Sequence, residues 1–565
     1  MLLQLLDKSV GDVSIYKILS AIYERAERQS VLEGLEPAMW RALEAAIKIH
    51  SHGLTITVDG LDYLQGGEPA SLDFCKRLKA IVASHRTMKC ILLFRLDDKP
   101  CPVEARQFVL DSTYNSDDVR YFVEDSVSSS KEFMNLKEQD KQTIVQKVSR
   151  LSAGTFLSAD LMLQLLKGEK TLSGILQALE TLPKALPDLI QKLSSVVNFK
   201  NPDTSLILSS LLVAERPLTL LELKSLVEMD IGSCSHSERF TSIEDDIHNS
   251  CGPLVTIRDG VVRFSHHSIK EHLLHLASSG KLPWSIKDAH QRLATRCLAY
   301  VKVSLEDWSP EPVFECGWDS IQGKSLADLT KEHHLLEYST RYWVAHFRKS
   351  HMYESKGKYT CTSEFKACFP KSSLLALIEG RWWEVQTSAN DAMEMHLLAL
   401  ELRKSILGEK HKSVVQCYIN LGRIRRELSD HIKASECYFD AWTISQHISG
   451  EKSTVIMACA KAYSEIITRT IVTTHTEFTS RTVQIYKYIW TSHKHTHGAA
   501  HEETIKYATY LATLYIQLKE LEKAATVYRE IHKTCVEKYG HLHELTITIT
   551  RSLTTVLQRL SKHEE

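Results

Sequence analysis

Apolar and polar positions along the first hundred residues predict alternating helices and strands. Residues 54–59, Leu-Thr-Ile-Thr-Val-Asp, form a β-branched run that ends in a carboxylate, which is typical of a buried parallel strand. Apolar residues three and four apart predict helices over 13–28, 36–50 and 72–84, and a second apolar strand is predicted over 89–95. The order helix, strand, helix, strand predicts part of a parallel α/β sheet.

Helical spacing dominates the next hundred residues. It predicts helices over 117–128, with Ser116 as the N-cap, and over 136–152, 156–166 and 189–197. These helices are predicted to form a separate helical domain after the sheet.

Short helices followed by a hairpin come next. The helices are predicted over 205–212, 220–227 and 243–249. Two short strands around Asp259-Gly260, over 254–257 and 261–264, have the sequence of a β-hairpin. A winged helix has this order of elements. Such domains often bind DNA, but this one has no basic recognition helix, which disfavours that reading.

From about residue 376 the strand signals cease and a repeat emerges. Gly408, Gly450, Gly498 and Gly540 are 42, 48 and 42 residues apart, and each is predicted to end a helix. A tyrosine lies twelve residues before each of the last three glycines, and a small residue lies sixteen before all four: Tyr438, Tyr486, Tyr528, Ala392, Ala434, Thr482 and Ala524. This register predicts a solenoid of helical pairs, with one longer repeat around 471–482. The alternative is coincidence within an ordinary helical bundle.

Composition excludes several classes of function. The 565 residues suffice for about three to five domains. Lys and Arg total 69 against 70 Asp and Glu, so no global field attracts nucleic acid. Thirteen cysteines, none spaced C-x-x-C, favour reduced thiols in the cytoplasm, and no apolar run is long enough to span a membrane.

Candidate chemistry lies at the predicted sheet edge. Asp59 and Asp62 follow the first strand, where nucleoside triphosphatases place acids that hold Mg²⁺ and orient the attacking water. The alternative for Asp59 is an N-cap or turn former. Arg95 ends the second strand and suits either a phosphate or a salt bridge to Asp62. No G-x-x-x-x-G-K-[ST] loop is present, and Gly323-Lys324-Ser325 is read as a helix-start loop.

Histidines form two further groups. His266 follows the hairpin and suits a hydrogen bond to phosphate or a packing role. His493, His495 and His497 are read as a solvated loop, with adventitious metal chelation as the alternative.

As an ordered set, several motifs over roughly residues 1–350 resemble the fungal NACHT-type STAND proteins, relatives of nucleotide-binding immune receptors. They are Leu54–Asp62, Ile91–Arg95, Asp117–Val123, Leu151–Leu157, Arg216–Leu220, Phe264–Ser268, His334–Tyr338 and Tyr342-Trp343. The repeats resemble tetratricopeptide repeats with the spacing of kinesin light chains.

The resemblance implies a switch between an ADP-bound closed form and an ATP-bound open form that oligomerises. It implies that Asp59 holds Mg²⁺, Asp62 is the second, catalytic acid, Arg95 senses nucleotide and His266 contacts the ADP β-phosphate. The chain departs from the family pattern: Tyr63 replaces a Glu, Leu93-Phe94 replace Thr-Ser, and the phosphate loop is expected upstream of residue 1.

The predicted fold class is therefore multidomain and mainly α. The predicted domains are a partial NACHT α/β core (1–115), a helical domain (116–198), a winged helix (199–290), a helical connector (291–375) and a tetratricopeptide-like solenoid (376–565).

Three functions fit these observations. The first is an NLR-like scaffold that holds a protein or peptide on the concave face of the repeats without nucleotide turnover. The second is a working STAND ATPase whose phosphate loop and effector precede this sequence, with ATP, ADP and Mg²⁺ as cofactors. The third is a pure scaffold without a switch.

Overall fold

A computed structural model describes residues 40–41, 43–44, 47, 54–58, 67–84, 88–93, 106, 112–169, 171–236, 242–305, 326–386, 389–448, 454–469 and 476–564. The chain divides into two compact units, Met1–Leu186 and Pro187–Glu565. The described residues are mainly helical, which confirms the predicted fold class. None of the described helices is both long and apolar enough to cross a lipid bilayer.

The described part of the first unit contains two parallel strands, as predicted. Strand β1 (Thr55–Val58) pairs with β2 (Lys89–Leu92), and the crossover between them contains helix α1 (Gly67–Ser84). Ile56, Ile81 and Met88 are buried in the small core between these elements. A parallel pair with a helical crossover is the beginning of an α/β layer.

Among the described residues of the first unit, four further helices follow: α2 (Ser112–Ser129), α3 (Glu138–Leu151), α4 (Phe156–Lys167) and α5 (Leu172–Glu180). The prediction of Ser116 as an N-cap is wrong, because α2 begins four residues earlier. No glycine or proline lies between Ser112 and Ser116 to stop the helix from extending through this polar stretch.

The second unit begins with a winged helix. Its elements are α6 (Leu186–Val196), α7 (Pro202–Val213), β3 (Leu218–Thr219), α8 (Leu220–Glu228), β4 (Met229–Asp230), β5 (Ser235–His236), α9 (Ile243–Cys251), β6 (Val255–Arg258), β7 (Val261–Phe264) and α10 (His267–Ser278). The antiparallel sheet has the order β3-β7-β6. Asp259 and Gly260 have φ of 53° and 72°, which gives the predicted hairpin the two-residue turn that suits its twist.

The segment that follows contains a hairpin as well as helices. Its elements are α11 (Ile286–Ser304), α12 (Leu326–Glu332), α13 (Leu336–Lys349), β8 (Tyr353–Ser355), β9 (Lys358–Tyr359) and α14 (Ser363–Cys368). Sequence spacing predicted helices only, since strands of two or three residues are too short to show a period. Trp343, Phe347 and Phe365 are fully buried and form its aromatic core.

The remainder is a series of antiparallel helices. They are α15 (Leu374–Gln386), α16 (Ala389–Leu407), α17 (Lys412–Glu427), α18 (His431–Ile448), α19 (Thr454–Arg469), α20 (Thr476–His497), α21 (Glu502–Gln517), α22 (Leu521–Tyr539) and α23 (Glu544–Glu564). Helix α20 has 22 residues, whereas α18 has 18 and α22 has 19. Part of the extra length of the predicted longer repeat therefore lies in α20.

The predicted repeat positions have the expected burial. Tyr438, Tyr486 and Tyr528 are buried, as are the small residues Ala392, Ala434, Thr482 and Ala524. Gly408, Gly498 and Gly540 end their helices with positive φ, whereas Gly450 lies outside the described residues. A Cβ on Gly422 of α17 would approach the Tyr438 ring to 2.7 Å, so this close helix approach depends on a missing side chain.

Turns inside the repeats are equivalent as well. Ser429 and Lys519 both have positive φ, of 60° and 62°, in the three-residue turns that join α17 to α18 and α21 to α22. Asp430 N donates to Arg425 O and Glu520 N donates to Tyr515 O, both at 2.8 Å, which is the long hydrogen bond of a Schellman motif. The same Schellman hydrogen bond therefore ends the first helix of both pairs.

Candidate functional site

The predicted nucleotide-binding edge is only partly described. Val58 and Leu92 are register partners, and Leu93 N donates to Val58 O at 2.8 Å, so both strands reach the same edge at the same level. Asp59, Asp62 and Arg95 lie outside the described residues, and their roles stay predictions. Leu93 is 39% exposed, which places an apolar side chain where the resemblance expects a polar one.

His266 is described and caps a helix. Its Nδ1 accepts a hydrogen bond from Ser268 N at 3.1 Å at the start of α10, so the imidazole satisfies an N–H that the helix leaves open. This contact is a structural role, and a contact with ADP stays a prediction. The neighbouring His267 lies 3.3 Å from Glu271 one turn further along.

The histidines near residue 495 lie in a helix, so their reading as a loop is wrong. His493 and His497 stack with ring centroids 5.0 Å apart, and His497 lies equally close to His501. Burial lowers the pKa of His493, which packs against Tyr507. Among the described residues, no group of three or more histidine, cysteine or carboxylate side chains has the geometry to hold a metal ion.

A hydrogen-bonded chain joins the segment that follows α7 to α13 and α11. Glu215 N donates to the Tyr338 hydroxyl at 3.2 Å, the Tyr338 hydroxyl lies 2.9 Å from His346 Nε2, and His346 Nδ1 lies 2.8 Å from His290 Nδ1. Each of these three contacts has one donor and one acceptor when Tyr338 donates to His346 and His346 donates to His290. This arrangement requires both imidazoles to be neutral.

The environment of this histidine pair disfavours protonation. Burial lowers the pKa of His290 to about 4 and that of His346 well below its ordinary value, and the positive charge of Lys349 adds to both shifts. Lys349 forms an ion pair with Glu215 at 2.6 Å, and the Glu215 charge opposes the shift of His290.

A buried ion pair lies at the start of the repeats. Both Nη2 contacts of Arg403 with the Glu379 carboxylate measure 2.8 Å, and Trp343 Nε1 donates to Glu379 Oε1 at 2.8 Å. Glu379 and Arg403 are 0% and 1% exposed. Burial raises the pKa of Glu379, and the Arg403 charge and the two donors oppose that rise.

An exposed face of the repeats combines charge with aromatic surface. On α21, Lys506, Tyr510 and Thr513 share one side of the helix at four- and seven-residue spacing, with Lys506 and Thr513 exposed. On α19, Lys461 and the exposed Glu465 lie one turn apart. We call these five residues the repeat face.

Tyr507 connects the two helices of the repeat face. It forms a side-chain hydrogen bond with Ser464 of α19, and the charges of Glu465, Glu503 and Lys506 all act on its hydroxyl. Its ring centroid lies 6.2 Å from those of Tyr510 and Tyr486. The face is therefore carried by helices whose side chains are fixed by packing beneath it.

These features define a mainly helical, multidomain protein in which a winged helix precedes a helical-repeat array. Residues 190–281 match the family model described as the winged helix domain of GPI inositol-deacylase. This match confirms the predicted winged helix.

The chain also resembles known proteins. It is 35% identical over 129 residues to the vegetative incompatibility protein HET-E-1 of Podospora anserina, a NACHT-type STAND protein, which confirms the predicted resemblance. The match covers 22% of this chain and 9% of that protein's length.

The chain is also similar to solved structures. A STAND protein with a tetratricopeptide repeat sensor from Pyrococcus horikoshii is 12% identical, with 92% of this chain and 72% of that chain covered and a TM-score of 0.28. Kinesin-light-chain TPR-like repeats from Podospora anserina are 12% identical, with 34% and 89% covered and a TM-score of 0.25. At these low TM-scores, the assignment of repeats rests on this chain's own helices and turns.

Proposed function

We propose that this chain is an NLR-like scaffold or signalling protein that binds a protein partner through the repeat face. The observation that carries the proposal is an exposed face of charged, hydroxyl and aromatic side chains on two first helices of successive pairs. Repeat solenoids bind extended peptides and helices along such faces, because stacked pairs present a long surface without requiring a catalytic group.

The chemistry of the face indicates the kind of partner. Lys461 and Lys506 alternate with Glu465 and Glu503, so a complementary segment would present both signs of charge. Tyr510 offers half-exposed ring area beside them, which suits an apolar anchor within that segment. A segment with charges of both signs flanking an apolar residue fits better than a uniformly acidic or basic one.

A charge reversal tests the repeat face. Peptides selected from a random display library on the purified chain should bind with micromolar affinity, and Lys506→Glu should weaken that binding by about tenfold or more, since it reverses a charge at the centre of the contact. The measurement is calorimetry or fluorescence anisotropy with the selected peptides.

Lys533→Glu on α22 is the matched control, because Lys533 is an exposed lysine on the second helix of the same pair. Equal effects of the two reversals, or peptides that bind both variants as well as the parent, would contradict binding at this face. Circular dichroism of each variant checks that the helices remain folded.

We further propose that the partner is bound without nucleotide turnover. Tyr63 and Leu93 stand where the resemblance expects polar side chains, and the exposed Leu93 side chain offers a phosphate no hydrogen bond. Titration of ATP or ADP with Mg²⁺ into the purified chain should release no heat of binding.

The alternative is a nucleotide-operated switch. It is favoured by the parallel strands β1 and β2, which end at the same level of one sheet edge, with Asp59 directly after β1. Micromolar binding that requires Mg²⁺ and disappears in Asp59→Ala would establish the switch and overturn the proposal of an inactive site. The peptide experiment is independent of that result, so either proposal can fail alone.

A further inference from the structure

Two cysteines that are distant in sequence lie together in the second unit. Cys234 is in the turn between β4 and β5 of the winged helix, and Cys368 is the last residue of α14. Their Sγ atoms are 3.7 Å apart across 134 residues of sequence. Both sulfurs also lie near one acceptor, the carbonyl oxygen of Ile231, at 3.5 and 3.9 Å. This shared acceptor holds the two thiols side by side.

The two thiols differ in access. Cys234 is half-buried, whereas Cys368 is buried. Burial raises the pKa of Cys368 to about 12, and the nearby Lys302 charge opposes that rise. Since the thiolate is the nucleophile, the more accessible Cys234 is the thiol that a reagent in solution meets first.

The backbone at Cys234 adds a second observation. Its φ of 46° lies in the left-handed region, where glycine or asparagine is favoured over a residue with a cysteine side chain. The turn therefore carries a thiol at a position where backbone geometry alone would favour a different residue.

We propose that Cys234 and Cys368 form a reversible disulfide by exchange with a low-molecular-weight disulfide such as oxidised glutathione. The Cys234 thiolate attacks one sulfur of the reagent, forming a mixed disulfide and releasing one glutathione thiolate. The Cys368 thiolate then attacks Cys234 Sγ, forming the protein disulfide and releasing the second glutathione thiolate. Two protein thiols are oxidised, one glutathione disulfide is reduced, and the two thiol protons pass to the departing thiolates or to water.

Formation of the Cys234–Cys368 disulfide requires little movement. A disulfide needs the sulfurs to approach from 3.7 Å to about 2.05 Å, which side-chain rotation and a small shift of the β4–β5 turn can supply. The bond would join the winged helix covalently to α14, which packs against α11 and whose Phe365 lies against Trp343. Oxidation would thereby lock the winged helix to the segment that leads into the repeats.

The test uses the full chain under native conditions. It is incubated in glutathione buffers of increasing oxidised fraction, blocked with N-ethylmaleimide, digested without reduction and analysed by mass spectrometry. A peptide cross-linked through Cys234 and Cys368 is expected, and it should disappear on addition of dithiothreitol.

Single variants separate the two thiols. Cys368→Ser should stop the reaction at glutathione attached to Cys234, whereas Cys234→Ser should leave the buried Cys368 unmodified. Cys361→Ser is the matched control, because this half-buried cysteine lies seven residues before Cys368, and it should not change the cross-link.

A physical readout accompanies the chemistry. Oxidised parent chain should unfold about 5 °C above reduced chain, and the shift should be absent in Cys234→Ser, because the disulfide constrains the unfolded chain between the two cysteines. Parent chain that carries only glutathione on Cys234 at every buffer ratio, or that cross-links Cys234 to another cysteine, would overturn the proposal.

Discussion

Glu379→Ala should lower the free energy of unfolding of the repeat region by about 3–5 kcal/mol, the largest effect expected from a single side chain here. The substitution leaves the Arg403 guanidinium buried at 1% exposure without the carboxylate that accepts both of its Nη2 contacts. It also removes the acceptor of Trp343 Nε1. The measurement is the shift in urea midpoint followed by far-ultraviolet circular dichroism.

Two further variants decide whether the loss of stability comes from a buried charge left without its partner. Glu394→Ala is the control, because Glu394 pairs with Arg348 at 3.3 Å while 61% exposed, and its loss should cost less than about 1 kcal/mol. Combining Glu379→Leu with Arg403→Met should recover much of the lost stability, since an apolar pair has no charge to desolvate. If the double variant is as unstable as Glu379→Ala, packing rather than charge accounts for the loss.

Helix α13 connects the Glu379–Arg403 ion pair to the winged helix. Its Trp343 donates to the ion pair between α15 and α16. Its Tyr338 and His346 belong to the hydrogen-bonded chain that reaches Glu215, just after α7 of the winged helix, and His290 of α11. Arg216, bonded to Glu222 at 2.6 and 2.9 Å, also lies over the Tyr338 ring at 5.1 Å. One helix thus couples the winged helix to the first repeat through two sets of buried polar contacts.

Local signals in the sequence were sufficient for much of this architecture. The turn at Asp259-Gly260 predicts its hairpin because positive φ at both residues restricts the residue types. The spacing of Gly408, Gly498 and Gly540 predicts the repeats because each position needs a helix end with positive φ. The first signal lies in adjacent residues and the second is a recurrence of one residue type at a nearly constant spacing, so a single sequence reveals both.

Contacts between distant residues gave no such signal. Glu379 and Arg403 are 24 residues apart on different helices, and no local pattern in the sequence connects them. The only trace is a carboxylate directly after the apolar run 374–378. The histidine-rich stretch around His493 is polar and therefore predicts a loop, whereas in the fold the His493 ring is buried against Tyr507.

The second large effect concerns pH. His290 and His346 stay neutral in the folded chain, because burial and Lys349 lower their pKa, to about 4 for His290. In the unfolded chain both return to an ordinary pKa near 6.5. Above about pH 6.5 neither state binds the protons and stability is unaffected. As pH falls below that value the unfolded state takes up protons that the folded state refuses, so stability falls.

The expected loss is about 1.4 kcal/mol per pH unit for a histidine that stays neutral in the folded chain, or about 2 kcal/mol between pH 6.5 and 5 for His290, and His346 adds a loss in the same direction. Urea titrations at several pH values should show this slope, and His290→Gln or His346→Gln should each reduce it by about one proton, even if the variant is less stable. His447→Gln, at an exposed position on α18, is the matched histidine-to-glutamine control. A parent slope that neither buried variant alters would mean that the pair takes up protons in the folded chain, and the neutral hydrogen-bonded arrangement between α11 and α13 would be wrong.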